Sequence, residues 1–129
     1  MVGLVIPADP RARLLVTVMA PTCSEISAAI GGGLVEDALS GQLGGAGYTF
    51  YADQNRVMKA LPGNDRAAVL AARLGHTHRG LMAGLRGDVL VLGCRGLAED
   101  VSVPRGVVDA ARQSALILAE PGIGHGAGR

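Results

Sequence analysis

His76 and His78, separated by a single threonine, come nearest to a metal motif in this 129-residue chain. In an extended segment both imidazoles project to one side, and a third ligand from Glu36, Asp53 or Asp88 would complete a site. No spacing selects among those carboxylates, and a pair of solvent-facing loop histidines is the simpler reading. Cys94 closes the apolar run D-V-L-V-L-G-C, where a thiol packs as a small hydrophobe and a nucleophile would need a histidine beside it in space. Gly31, Gly32 and Gly33 suggest a phosphate cradle by composition, but they follow a helical segment and precede a strand. A phosphate loop has the reverse order, and a helix C-terminus repels anions. Glu36 and Asp37 adjoin, so on a strand they point to opposite faces and cannot share a proton. No G-x-S-x-G elbow occurs. No catalytic residue, metal or other cofactor is assigned on these grounds; a small metal-dependent enzyme built on His76 and His78 stays open as an alternative.

The stretch L-P-G-N-D-R-A-A at 61–68 has the densest concentration of polar chemistry. Pro62 and Gly63 turn the chain, Asn64 is suited to accept an amide of the next helical turn, and Asp65 complements the helix dipole. A capping role accounts for these residues, and a binding role is the alternative. Arg56, Lys59, Arg66, Arg73, Arg79 and Arg86 form the densest basic stretch. They read as a solvated face or, if they share a side, as a surface for an acidic protein. Nucleic acid ranks lower: the net charge is +1, and the chain's aromatic residues are Tyr48, Phe50 and Tyr51 alone, too few for a stacking platform. Glu36, Tyr51, Asp53, Asn64 and Arg66 are the residues expected to form a binding patch.

These side chains must be positioned by recognisable elements. Gly3–Ile6 and Leu14–Val18 are β-branched runs joined by P-A-D-P-R-A-R, which predicts a hairpin. Thr22 and Glu25 form a capping box ahead of a helix bearing Ile26, Ala29 and Ile30, with Gly31 as its stop. Leu34–Leu39 reads as a strand, and the glycines of Gly41–Gly47 as a loop that is either mobile or closely approached by its neighbours. Y-T-F-Y-A and V-M-K-A-L flank D-Q-N-R, which predicts a second hairpin, with Tyr48 and Phe50 on one face and Tyr51 on the other. A helix runs from Asp65 to Gly75, a Gly-containing connector follows, and D-V-L-V-L-G-C is the clearest buried strand. A last helix carries Val107, Val108, Ala111, Ala115 and Leu118 as its apolar stripe.

Composition bounds the rest. Hydrophobic residues make up 49% of the chain, enough for one core, built from aliphatic side chains. Two cysteines, Cys23 and Cys94, do not make a disulfide framework. The N-terminus lacks a basic leader, and no apolar run reaches the roughly 18 residues that span a membrane. A reduced, cytoplasmic setting with no membrane partner is expected. Arginine is used almost to the exclusion of lysine, with Ala and Gly abundant, a bias typical of high-GC coding. Residues 1–119 read as one α+β domain, a curved and mainly antiparallel sheet with two or three short helices on one face. Residues 120–129 read as a flexible Gly-rich tail.

I-G-G-G-L-V-E at 30–36, Y-A-D-Q-N-R at 51–56, L-P-G-N-D-R-A-A at 61–68 and L-R-G-D-V-L-V-L-G at 85–93 occur in an order that resembles Domain of Unknown Function 3846. The likeness spans most of residues 2–109, with an additional glycine in the first turn, an insertion-like Gly-rich loop and Gln-Asn in place of a Gly-bearing hairpin. The resemblance implies a protein of phages, plasmids or actinobacterial mobile elements, and it transfers no catalytic residue. The function expected is therefore that of a non-enzymatic accessory protein that binds a host or mobile-element protein, with homo-oligomerisation compatible and weak nucleic-acid binding through the Arg stretch as a further alternative.

Overall fold

The computed structural model describes residues 1–96 and 99–124, the stretch 115–124 as helix backbone only. The two leading apolar runs form β1 (Val2–Ile6) and β2 (Leu15–Val18), an antiparallel hairpin that pairs Val2 with Val18 and Val5 with Leu15. Helix α1 (Cys23–Ala29) starts where the Thr22 hydroxyl accepts the Glu25 amide at 3.3 Å. The reciprocal arm of the expected box does not form, because the Thr22 amide donates instead to the Ala20 carbonyl at 2.9 Å. Gly31, Gly32 and Gly33 then take φ of +93°, +93° and +92°, the left-handed region that turns the chain out of a helix.

The segment 34–53 departs from expectation. Strands β3 (Val35–Leu43) and β4 (Ala46–Asp53) run through the anticipated loop and meet at Gly44-Gly45, with φ of +58° and +84°. Two successive left-handed residues make the tight turn whose twist suits a hairpin. Gly41 pairs with Tyr48, and Gln42 with Gly47, inside the ladder. Of the two readings of these glycines, close approach is the one that holds: a Cβ on Gly41 would collide with the Tyr48 hydroxyl, and one on Gly47 would lie 2.7 Å from the Cys94 sulfur.

The second expected hairpin is corrected as well. The Asp53 side chain does accept the Asn55 amide at 2.8 Å, an Asx turn, but residues 57–61 wind back instead of forming a strand. Lys59 donates to the Asn55 carbonyl at 2.9 Å and Leu61 to that of Arg56 at 3.0 Å. The reason is topological: β4 lies between β3 and β5, so both of its edges are filled. Val57 and Met58 are left 73% and 87% exposed.

Helix α2 (Asp65–Arg73) and the short α3 (Arg79–Ala83), which lies within the expected connector, lead to β5 (Val89–Cys94), β6 (Asp100–Val101) and α4 (Arg105–Gly124). Helix α4 thus takes in residues 120–124 of the expected tail, while 125–129 and the side chains of Ala115 and Leu118 lie outside the described residues. The strands make one antiparallel sheet in the order β2-β1-β5-β4-β3, with β6 on the end of β5. Central β5 serves two cores. Val89 and Val91 face Leu4, Phe50, Tyr48, Leu70 of α2 and Val107 of α4. Leu90 and Leu92 face Val5, Met19 and Ile26 and Ile30 of the α1 segment. The α+β class is as expected, with α2, α3 and α4 on one side, and α1 covering part of the other.

Candidate interaction surface

Asn64 and Arg66, expected on a surface patch, are 2% and 8% exposed. The Asn64 side-chain oxygen accepts the Ala67 amide at 3.0 Å, capping α2. Its Nδ2 donates to the carbonyls of Ile6 at 2.7 Å and Gly87 at 2.9 Å. One amide therefore ties α2 to the end of β1 and to the turn before β5. Arg66 reaches out of the first turn of α2 and donates to the carbonyls of Ala12, Pro7 and Asp9 at 2.6, 2.9 and 2.7 Å. It holds the loop between β1 and β2, with its Nε buried and without a hydrogen-bond partner among the described residues. Burial lowers its pKa, and the Asp9 charge opposes that shift. Both residues are internal clamps, a role invisible in sequence because their partners lie far away along the chain.

The other three expected patch residues fall at separate places. Glu36 sits opposite Ala52 and pairs with the Arg56 guanidinium, which also donates to the carbonyls of Asp53 at 3.0 Å and Gly84 at 2.5 Å. Asp53 pairs with Lys59 at 2.6 Å beside Gly33. The Lys59 bond and the Asn55 amide hold its pKa below the usual carboxylate value. Through Arg56 these groups form one network that fastens the 54–60 turn to the sheet. Tyr51 pairs with Asp37, on the sheet face opposite Glu36, and its hydroxyl donates to Asp100 at 2.6 Å. Burial, that bond and the charges of Asp100 and Asp37 all raise its pKa. Asp100 is a partner that sequence reasoning missed, because it comes 49 residues later on β6.

The two histidines are used separately. His76 Nε2 meets the Tyr48 hydroxyl at 2.6 Å, whereas His78 accepts the Leu81 amide on Nδ1 at 3.1 Å and caps α3. Among the described residues no three His, Cys, Asp or Glu side chains converge as a metal site. The basic stretch is divided too: Arg66 is internal, Arg56 and Lys59 are paired, and the Arg86 Nε donates to the Leu61 carbonyl at 2.9 Å. Arg73 and Arg79 stay exposed on different helices. An open cleft of about 790 Å³ lies where the β3–β4 turn approaches β6 and the start of α4, lined by Ser40, Gln42, Gly47, Cys94, Ser102 and Pro104. Arg95 is the one charged side chain at its wall among the described residues, so the cleft presents no acid and base together.

The most unusual surface is an edge of the sheet. Among the described residues strand β2 has β1 on one side and no strand on the other, and Leu15, Val16 and Val18 are 55%, 44% and 82% exposed. The bonds between Met1 and Met19, each amine or amide donating to the other's carbonyl at 2.8 Å, direct the Met19 backbone towards β1. By the alternation of an antiparallel ladder, Leu15 and Thr17 bond inward, and Val16 and Val18 present their N–H and C=O groups outward. The opposite edge, β3, carries Glu36 and Asp37 and an irregularity between Asp37 and Leu39. Charges and bulges are devices that keep an edge from pairing; β2, reading L-V-T-V, has neither. Apolar residues at both alternations of this run were the sequence signal for such an edge. No protein family, curated protein or solved structure matches the chain.

Proposed function

We propose that this chain is a non-enzymatic accessory protein that works by binding another protein, with the open edge of β2 as its docking element. The exposure of Leu15, Val16 and Val18 on an unprotected edge carries the reading. An extended segment added there gains main-chain hydrogen bonds from Val16 and Val18 and contacts with three apolar side chains. The setting in a phage or other mobile element, with a host or element-encoded partner, is supported by the order of motifs that resembles Domain of Unknown Function 3846. The engagement of Asn64, Arg66 and His78 in caps and clamps favours binding over catalysis, since these groups already have internal partners.

The test is affinity capture from nuclease-treated bacterial lysate with the wild-type chain and with Val16→Lys/Val18→Lys, both checked for an unchanged unfolding midpoint. A protein retained by the wild type and reduced at least tenfold by the double variant is the expected result. Capture that depends on nucleic acid, or that the variant leaves intact, would count against β2 as the docking element.

A further inference from the structure

We infer that the β2 edge pairs with β2 of a second copy of this chain, in an antiparallel register centred on Thr17. The inference rests on the β2 docking reading and names what occupies that edge until another protein displaces it. Because Val16 and Val18 alone within β2 direct their backbone groups outward, a partner strand must offer two such residues at the same spacing. Another β2 does so. When Val16 of one copy lies opposite Val18 of the other, the two-fold axis passes beside Thr17, and both outward residues of each strand bond to strand residues of its mate. Shifts that centre the axis on Val16 or Val18 leave one outward residue of β2 facing chain beyond the partner strand. In the Thr17 register the valines at 16 and 18 also come together on one face, in directly opposed pairs of the kind that stabilise sheets.

Charge supports a second copy. Strand β2 carries none, so a like edge meets no repulsion. Antiparallel pairing brings the Arg13 end of one β2 to the end of the other that leads into α1, where Glu25 stands in the first turn. Arg13 and Glu25 are both exposed, and neither is in an ion pair among the described residues. The symmetry supplies this opposite-sign approach twice. A strand of four residues falls short of the roughly 1,000 Å² of a durable interface, so the dimer is weak and reversible.

The register is testable with cysteines. Thr17 of the two copies would form a non-hydrogen-bonded pair with Cα atoms about 4.5 Å apart, within disulfide reach. The two Leu15 residues would be separated by about four residues of strand, roughly 14 Å, beyond it. In a Cys23→Ser background, mild oxidation should convert Thr17→Cys to a covalent dimer, and Leu15→Cys and the parent should remain uncross-linked. Sedimentation of the chain from ~10 μM to ~1 mM should show a monomer–dimer equilibrium, weakened at least tenfold by Val18→Lys. Cross-linking at Leu15 in preference to Thr17, a monomer over the whole range, or a dimer indifferent to Val18→Lys would overturn the proposal. A purified monomer whose lysate capture still depends on Val16 and Val18 would reject self-pairing and leave the docking reading standing.

Discussion

Asn64 shows how one side chain can be both a local signal and a tertiary joint. Its oxygen caps α2, as the sequence suggests, and its nitrogen satisfies two carbonyls, of Ile6 and Gly87, from separate parts of the sheet. Replacing it with alanine removes a cap worth about 1 kcal/mol and leaves buried carbonyls unpaired, a total cost of about 2–4 kcal/mol. Asn64→Asp separates the two functions. Aspartate is as good a cap, but its second oxygen would face the two carbonyl oxygens, so urea denaturation at neutral pH should find it destabilised as well. Stability equal to the wild type would remove the role assigned to Nδ2. Thr22, exposed at the start of α1, has only the capping half of this arrangement. The caps were legible because they act within three residues; the clamp of Asn64 on Ile6 joins positions 58 apart.

At the scale of elements, the β3–β4 hairpin is the clearest case of a signal open to two readings. Glycines at 41, 44, 45 and 47 suggest freedom, yet two sit in the ladder under close neighbours and two form the turn. At Gly44 the φ of +58° is one that asparagine tolerates, and a Cβ there meets nothing within 4 Å. Gly44→Asn should therefore raise stability by about 0.5 kcal/mol, chiefly by narrowing the unfolded ensemble, while Gly44→Val should lower it. Thermal unfolding of the two variants beside the parent checks the sign of each. The 54–60 segment shows the converse. V-M-K-A-L has the composition of a strand, but β4, the strand it would pair with, already has β3 and β5 on its two edges, so it becomes a turn fastened by Arg56 and Lys59.

For the whole molecule, β5 is the shared wall of two cores. Val89, Leu90, Val91 and Leu92 are all fully buried, and they alternate between the α2–α4 side and the α1 side. Loss of packing on one side is therefore felt by the strand that supports the other, which predicts a single cooperative transition. Leu92→Ala, on the α1 side, should cost about 2–5 kcal/mol. The two tyrosines report from opposite sides, Tyr48 within the first core and Tyr51 against the second. Tyrosine fluorescence and far-ultraviolet circular dichroism should give coincident midpoints in parent and variant; midpoints that separate would show that the two sides unfold independently.

What the sequence determined by itself was set by short-range physics. Strand β5, the β1–β2 hairpin, the caps at Thr22 and Asn64 and the opposite facing of Phe50 and Tyr51 follow from a period of two, from turn chemistry and from side chains that bond within a helical turn. The tertiary structure decided which polar residues are available. Arg66 and Asn64 turn inward because the β1–β2 loop and the turn before β5 bring carbonyls to them, and Glu36 is held by an arginine 20 residues later. It also decided which strands stand at the edges. An apolar L-V-T-V run reads alike in the centre of a sheet and at its rim, and only the strand order leaves the outward hydrogen bonds of Val16 and Val18 open.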